Sequence, residues 1–149
     1  MTNSINYIST RGNAPILSFK DVIFEGLASD GGLYIPEHWP LLNNEMINSF
    51  SSMSYQEIAY EVISPYIDSS LTKEDLKGII AKSYSCFDSP EITPLKKLDN
   101  NNYLLELYHG PTYAFKDVAM QFIAQLMDFY LKQNKQSINI LGATSGDTG

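Results

Sequence analysis

The stretch "YLLELYHGPTYAFKDVAMQFIAQLMDFYLKQNKQSINILGATSGDTG", residues 103–149, decides the expected fold. From Phe115 onward, Phe115, Val118, Ala119, Phe122, Ile123, Leu126 and Tyr130 recur at three- and four-residue steps. That spacing predicts a helix from about Thr112 to Gln133 with one buried face. His109-Gly110-Pro111-Thr112 before it carries turn and helix-start chemistry, with Thr112 placed to cap. Tyr103 to Leu107 on one side and Ser137 to Leu141 on the other have strand patterning. Strand, helix, strand at this spacing is a parallel crossover, so the expected class is α/β, a parallel sheet with helices on its faces.

Lys116 breaks a local rule within that pattern. The first turn of a helix is electropositive, which penalises a lysine and favours an aspartate such as Asp117. Apolar walls and a positive helix end disfavour the charged amine, and a neutral amine is the form that attacks an aldehyde. The plain alternative is that Lys116 reaches solvent along its flexible stem, as most lysines do.

The strand at Ser137 to Leu141 runs into "GATSGDTG", Gly142 to Gly149. Small residues let a backbone approach a ligand, and the N–H groups of such a loop suit an anion. Glycines at 142, 146 and 149 do not fit the dinucleotide spacing, and the Gly-Lys-Ser/Thr ending of a nucleotide-hydrolase loop is absent. A structural turn is the competing reading. With the loop at its end, the chain is expected to be a fragment of a larger protein.

Towards the N-terminus the elements are shorter. Tyr7-Ile8-Ser9 is strand-like, Ser18 is placed to cap a short helix through Phe24, and Asp30-Gly31-Gly32 forms a tight turn before Leu33-Tyr34-Ile35. Ser54-Tyr55-Gln56-Glu57 fits a capping box for a helix that Pro65 interrupts, and Thr72-Lys73-Glu74-Asp75 starts another carrying Leu76, Ile79 and Ile80. "FDSPEITP", Phe87 to Pro94, is the candidate boundary between domains at 1–88 and 89–149. Asp99-Asn100-Asn101-Asn102 turns between the strands at Leu95 to Leu98 and Tyr103 to Leu107.

Composition narrows the partners. A formal charge of -7, with no basic cluster longer than Lys96-Lys97, argues against nucleic acid, and no apolar run approaches a bilayer span. A soluble, cytoplasmic protein is expected. The single Cys86 has no disulfide or zinc partners and is expected to be a small buried or half-buried side chain, and no metal site is expected at His38.

Three segments in order, "YISTRG" with "GLASDGGLYIP", then "ELYHGPTYAFKD", then "LGATSGDTG", resemble the threonine synthase family of pyridoxal-phosphate enzymes. The resemblance covers essentially the whole chain. It implies a small N-terminal α+β domain followed by the start of a parallel-sheet cofactor domain of the tryptophan-synthase-β-like fold, fold type II, incomplete in this chain. It implies pyridoxal 5'-phosphate carried by Lys116 as an internal aldimine, and conversion of O-phospho-L-homoserine and water to L-threonine and phosphate. By the same resemblance Thr144, Ser145, Gly146, Thr148 and Gly149 receive the substrate's α-carboxylate, and Asp147 stands where many relatives have Asn facing the cofactor's 3-oxygen. His109 either braces the turn or touches ligand. "DGGLYIP" is read as a structural turn, with Arg11 and Ser29-Asp30 reaching the site as the other possibility. The family's loop for the cofactor phosphate and its partner for the pyridine nitrogen lie outside residues 1–149, so the chain alone is expected to turn nothing over. Three alternatives remain: a phospholyase of the same fold giving a keto acid and ammonia, a non-catalytic interaction module presenting Phe122 and Ile123, and a nicotinamide-binding domain, disfavoured by its loop spacing.

Overall fold

The computed structural model describes residues 5–144 and Gly146. These fall into two compact units, Met1–Met53 with Glu57–Lys77, and Ser54–Gln56 with Gly78–Gly149. The loop residues Ser145, Asp147, Thr148 and Gly149 lie outside the described residues.

In the first unit, β1 (Tyr7–Ser9) pairs antiparallel with β2 (Tyr34–Pro36), Ile8 opposite Ile35. Between them stands α1 (Phe19–Glu25), where the Ser18 hydroxyl accepts from the Asp21 N–H, as its position implied. Tyr7 and Phe19 are buried with ring centroids 6.1 Å apart, and Ile5, Ala28, Leu71 and Leu76 of the same unit are also buried. The Tyr7 hydroxyl donates to the Tyr66 carbonyl at 2.6 Å, and burial, with Asp68 and Tyr66 nearby, pushes its pKa up to about 12. After β2 come α2 (Asn44–Ser49) and α3 (Tyr55–Ile63), which stops before Pro65.

The "DGGLYIP" turn is tied within its own unit. Asp30 accepts from the Ser9 hydroxyl at 2.8 Å and from the N–H groups of Gly32 and Asn13 at 2.9 Å, while Arg11 Nη1 donates to the Asp30 carbonyl. Burial opposes ionisation, but those donors and the nearby guanidinium hold the Asp30 carboxyl below its ordinary range. Gly31 takes φ +78, the left-handed region that its missing side chain makes accessible.

α4 (Lys73–Tyr84) starts where Thr72 signalled. The Thr72 hydroxyl accepts from the Asp75 N–H at 3.1 Å and donates to its carboxylate at 2.6 Å, and Leu76, Ile79 and Ile80 are buried as expected. In the second unit Ile79, Ile80, Tyr84, Ile92, Leu126 and Tyr130 are buried, and the Tyr84 hydroxyl donates to the Val118 carbonyl. Cys86 departs from expectation. It follows the end of α4, is exposed, and its thiol donates to the Ser83 carbonyl.

β3 (Leu95–Lys97) and β4 (Tyr103–Leu105) form an antiparallel hairpin, Lys96 opposite Leu104. Asp99 makes the turn by accepting from the N–H groups of Asn101 and Asn102. The long helix, α5 (Asp117–Asn134), begins later than its apolar period implied. Tyr113 at φ +59 interrupts the helical path, and Asp117 N–H donates to the Ala114 carbonyl in a tight turn that precedes the helix. Only part of the expected face is covered: Leu126 and Tyr130 are buried, whereas Phe115 and Ile123 are exposed.

The expected parallel crossover is not formed among the described residues. A strand exists through a neighbour's N–H and C=O groups. β3 and β4 pair with each other, and residues 137–141 run unpaired with Ile138, Ile140 and Leu141 exposed. Helices and strands are mixed along the chain, but both described sheets are antiparallel. No described helix is long and apolar enough to cross a membrane.

Candidate active site

Lys116 stands at the head of α5, half-buried, with its amine 5.9 Å from the Phe115 ring centroid. Its carbonyl accepts from the N–H groups of Ala119 and Met120, which anchors its backbone to the first helical turn. Thr112 does not cap the helix. The direction is reversed: the buried Asp117 carboxylate accepts from the Thr112 N–H and hydroxyl, both at 2.8 Å. The chain from Thr112 to Asp117 is thereby closed into a compact loop with Lys116 next to its knot.

Gly110 lies under that knot. A Cβ there would overlap the Asp117 side chain, so the close approach needs a glycine for steric reasons alone. One residue earlier, His109 Nδ1 is 2.6 Å from Asp88 and Nε2 is 2.9 Å from Glu106. The Asp88 N–H also donates to the His109 carbonyl at 3.0 Å. Ionised carboxylates only accept, so both ring nitrogens must donate and the imidazole is protonated here. Hydrogen bonds to Glu106 and Asp88 accordingly raise the His109 pKa against the opposing effect of burial.

Glu106 follows β4 and is buried, with Lys96 Nζ at 2.7 Å from one oxygen and His109 on the other. The bond from Lys96, then that from His109, pull its pKa down to about 2 against desolvation. Lys96 is raised in turn by the same bond. On strand periodicity Glu106 shares the face of Leu104 and sits diagonal to Lys96, which explains the pairing. Asp88, Lys96 and Glu106 were not singled out from sequence. The available signal was a lone carboxylate in the apolar run Tyr103 to Tyr108, three residues before a histidine.

Of the loop residues assigned to ligand, Thr144 and Gly146 are described; the Thr144 hydroxyl accepts from the Gly146 N–H at 3.3 Å, and Gly146 has φ +110.

Residues 6–84 match the family model described as the threonine synthase N terminus. The chain belongs to the threonine synthase family. It is 46% identical to threonine synthase from Pseudomonas aeruginosa over 97% of its own length, and 44% identical to that from Schizosaccharomyces pombe over its full length. The crystal structure of PLP-bound threonine synthase from Brucella melitensis superposes with a TM-score of 0.93 at 44% identity, covering 97% of the chain. The chain spans about 31% of the length of each of these threonine synthases.

Proposed function

We propose that the longer protein containing these residues converts O-phospho-L-homoserine and water to L-threonine and phosphate, with pyridoxal 5'-phosphate held through Lys116. One observation carries the reading: the likeness to threonine synthases runs through both units, and "HGPTYAFKD" places one half-buried amine at the knotted head of α5.

The residues present fit the cofactor chemically. A primary amine with part of its surface accessible beside an aromatic ring matches an aldehyde, and the backbone under it is fixed by Asp117. When bound, the cofactor supplies that aldehyde and a pyridine ring able to accept electron density. Lys116 then has two tasks: it holds the cofactor, and its released amine carries protons between substrate carbons. The hydroxyls and N–H groups of Thr144, Ser145, Gly146, Thr148 and Gly149 receive the α-carboxylate. By the family pattern Asp147 stands at the position that faces the cofactor's 3-oxygen, and were the two adjacent one of them would retain a proton because neighbouring like charges are disfavoured. On this reading residues 1–88 are the N-terminal domain and 89–149 the opening of a fold-type-II cofactor domain.

The test uses the full-length chain. Borohydride reduction followed by peptide mass analysis should label Lys116, and Lys116→Ala should lose the label and at least about 10²-fold of phosphate release. Threonine as the product supports the reading. A keto acid with ammonia replaces it by a phospholyase, and an unlabelled Lys116 removes the cofactor assignment.

A further inference from the structure

The groups around His109 form an unbroken line of contact to Lys116. Asp88 and Glu106 hold the two ring nitrogens, and Tyr108 stacks on the ring at 4.7 Å. Lys96 of β3 fixes Glu106 from its other oxygen. Gly110, the next residue, is buried against Asp117 with no room for a methyl group. Asp117 precedes the rest of α5, closes on Thr112, and adjoins Lys116. Movement at His109 therefore has no slack to disappear into before it reaches the amine-bearing residue.

We propose that His109, protonated between Asp88 and Glu106, is a positioning residue for Lys116 and makes the placement of that lysine depend on pH. The proposal rests on the reading that Lys116 carries the cofactor. Asp88, Glu106, Lys96 and Tyr108 are the charged or titratable groups seen against the ring or its partners. Because the His109 pKa is raised, the clamp is complete below the ordinary histidine value and is lost as pH rises through the raised one. On losing its proton the ring turns one lone pair toward a carboxylate. Glu106 keeps Lys96, so the solvent-exposed Asp88 is the contact that lets go.

The experiment compares full-length wild type, Asp88→Asn and His109→Gln. Two quantities are followed across pH: kcat and KM of the loaded enzyme, and hydrogen exchange of residues 110–117 in the cofactor-free chain, corrected for intrinsic exchange. Asp88→Asn removes an exposed carboxylate and should shift both the alkaline fall in kcat and the gain in exchange to lower pH. His109→Gln should lower kcat about tenfold while KM changes less than about threefold, and should abolish the pH step in exchange. If His109→Gln does not fold, Asp88→Asn decides alone. Midpoints of Asp88→Asn that match those of the wild type, with borohydride labelling Lys116 in the wild type, overturn this proposal and leave the function reading standing. Absence of that label overturns the function reading and the proposal with it.

Discussion

Gly110 and Glu106 occupy places where one atom more or one charge less has a defined consequence. A methyl group at Gly110 meets the Asp117 side chain, which two hydrogen bonds to Thr112 hold in place. Overpacking of this kind costs about 1–3 kcal/mol, so Gly110→Ala should lower the urea midpoint by a corresponding amount. Glu106 gives a pH signature. Its pKa is depressed to about 2, so its contribution is complete above the unfolded carboxyl value and disappears as pH falls through about 2. Glu106→Gln should be less stable than wild type at neutral pH, and thermal melts of the two should converge toward pH 2. Parallel curves would mean that the Lys96 and His109 contacts do not form in solution. Lys116 could be singled out in the sequence because it offends a helix-start rule and stands in "HGPTYAFKD", the motif that carries the family resemblance. Asp88 and Glu106 were not, since their meeting at His109 depends on the hairpin and on the segment after α4.

Elements with local signals form where those signals stand. Ser18, Thr72 and Asp99 each place an oxygen opposite backbone N–H groups a few residues ahead, a short-range act that sequence spacing reveals. Thr72→Ala removes both hydrogen bonds of the hydroxyl to Asp75 and should cost about 1 kcal/mol, read as a lower urea midpoint with unchanged slope. No change would show that water replaces the cap without loss. Two elements escaped the same logic. The start of α5 moved to Asp117 because that carboxylate reaches back to Thr112 and Tyr113 takes a left-handed turn, neither of which alters the apolar period. Residues 137–141 carry strand composition, but strand character belongs to a pair of segments, and none of the described residues pairs with them.

At the scale of the whole molecule, both units expose large apolar side chains, and among the described residues the second exposes more of them. Leu95, Leu98, Tyr113, Phe115, Ile140 and Leu141 are all exposed, as is every residue of both hairpin strands. Single exposed hydrophobes are ordinary, but this many in one unit mark surface that another layer of polypeptide would cover. Threonine synthases related to this chain are about three times as long, which supplies the material for such a layer. Residues 1–149 produced alone should therefore bind a hydrophobic dye such as ANS, and a chain extended to the relatives' length should bind much less. The same shorter chain should release no phosphate from O-phospho-L-homoserine, because the family resemblance assigns the groups for the cofactor's phosphate and ring nitrogen to positions outside residues 1–149. Dye binding without turnover would fit a catalytic unit that needs its remaining layers. Turnover by residues 1–149 alone would place the whole cofactor site in this chain, and the assignment of those two groups to later segments would fail.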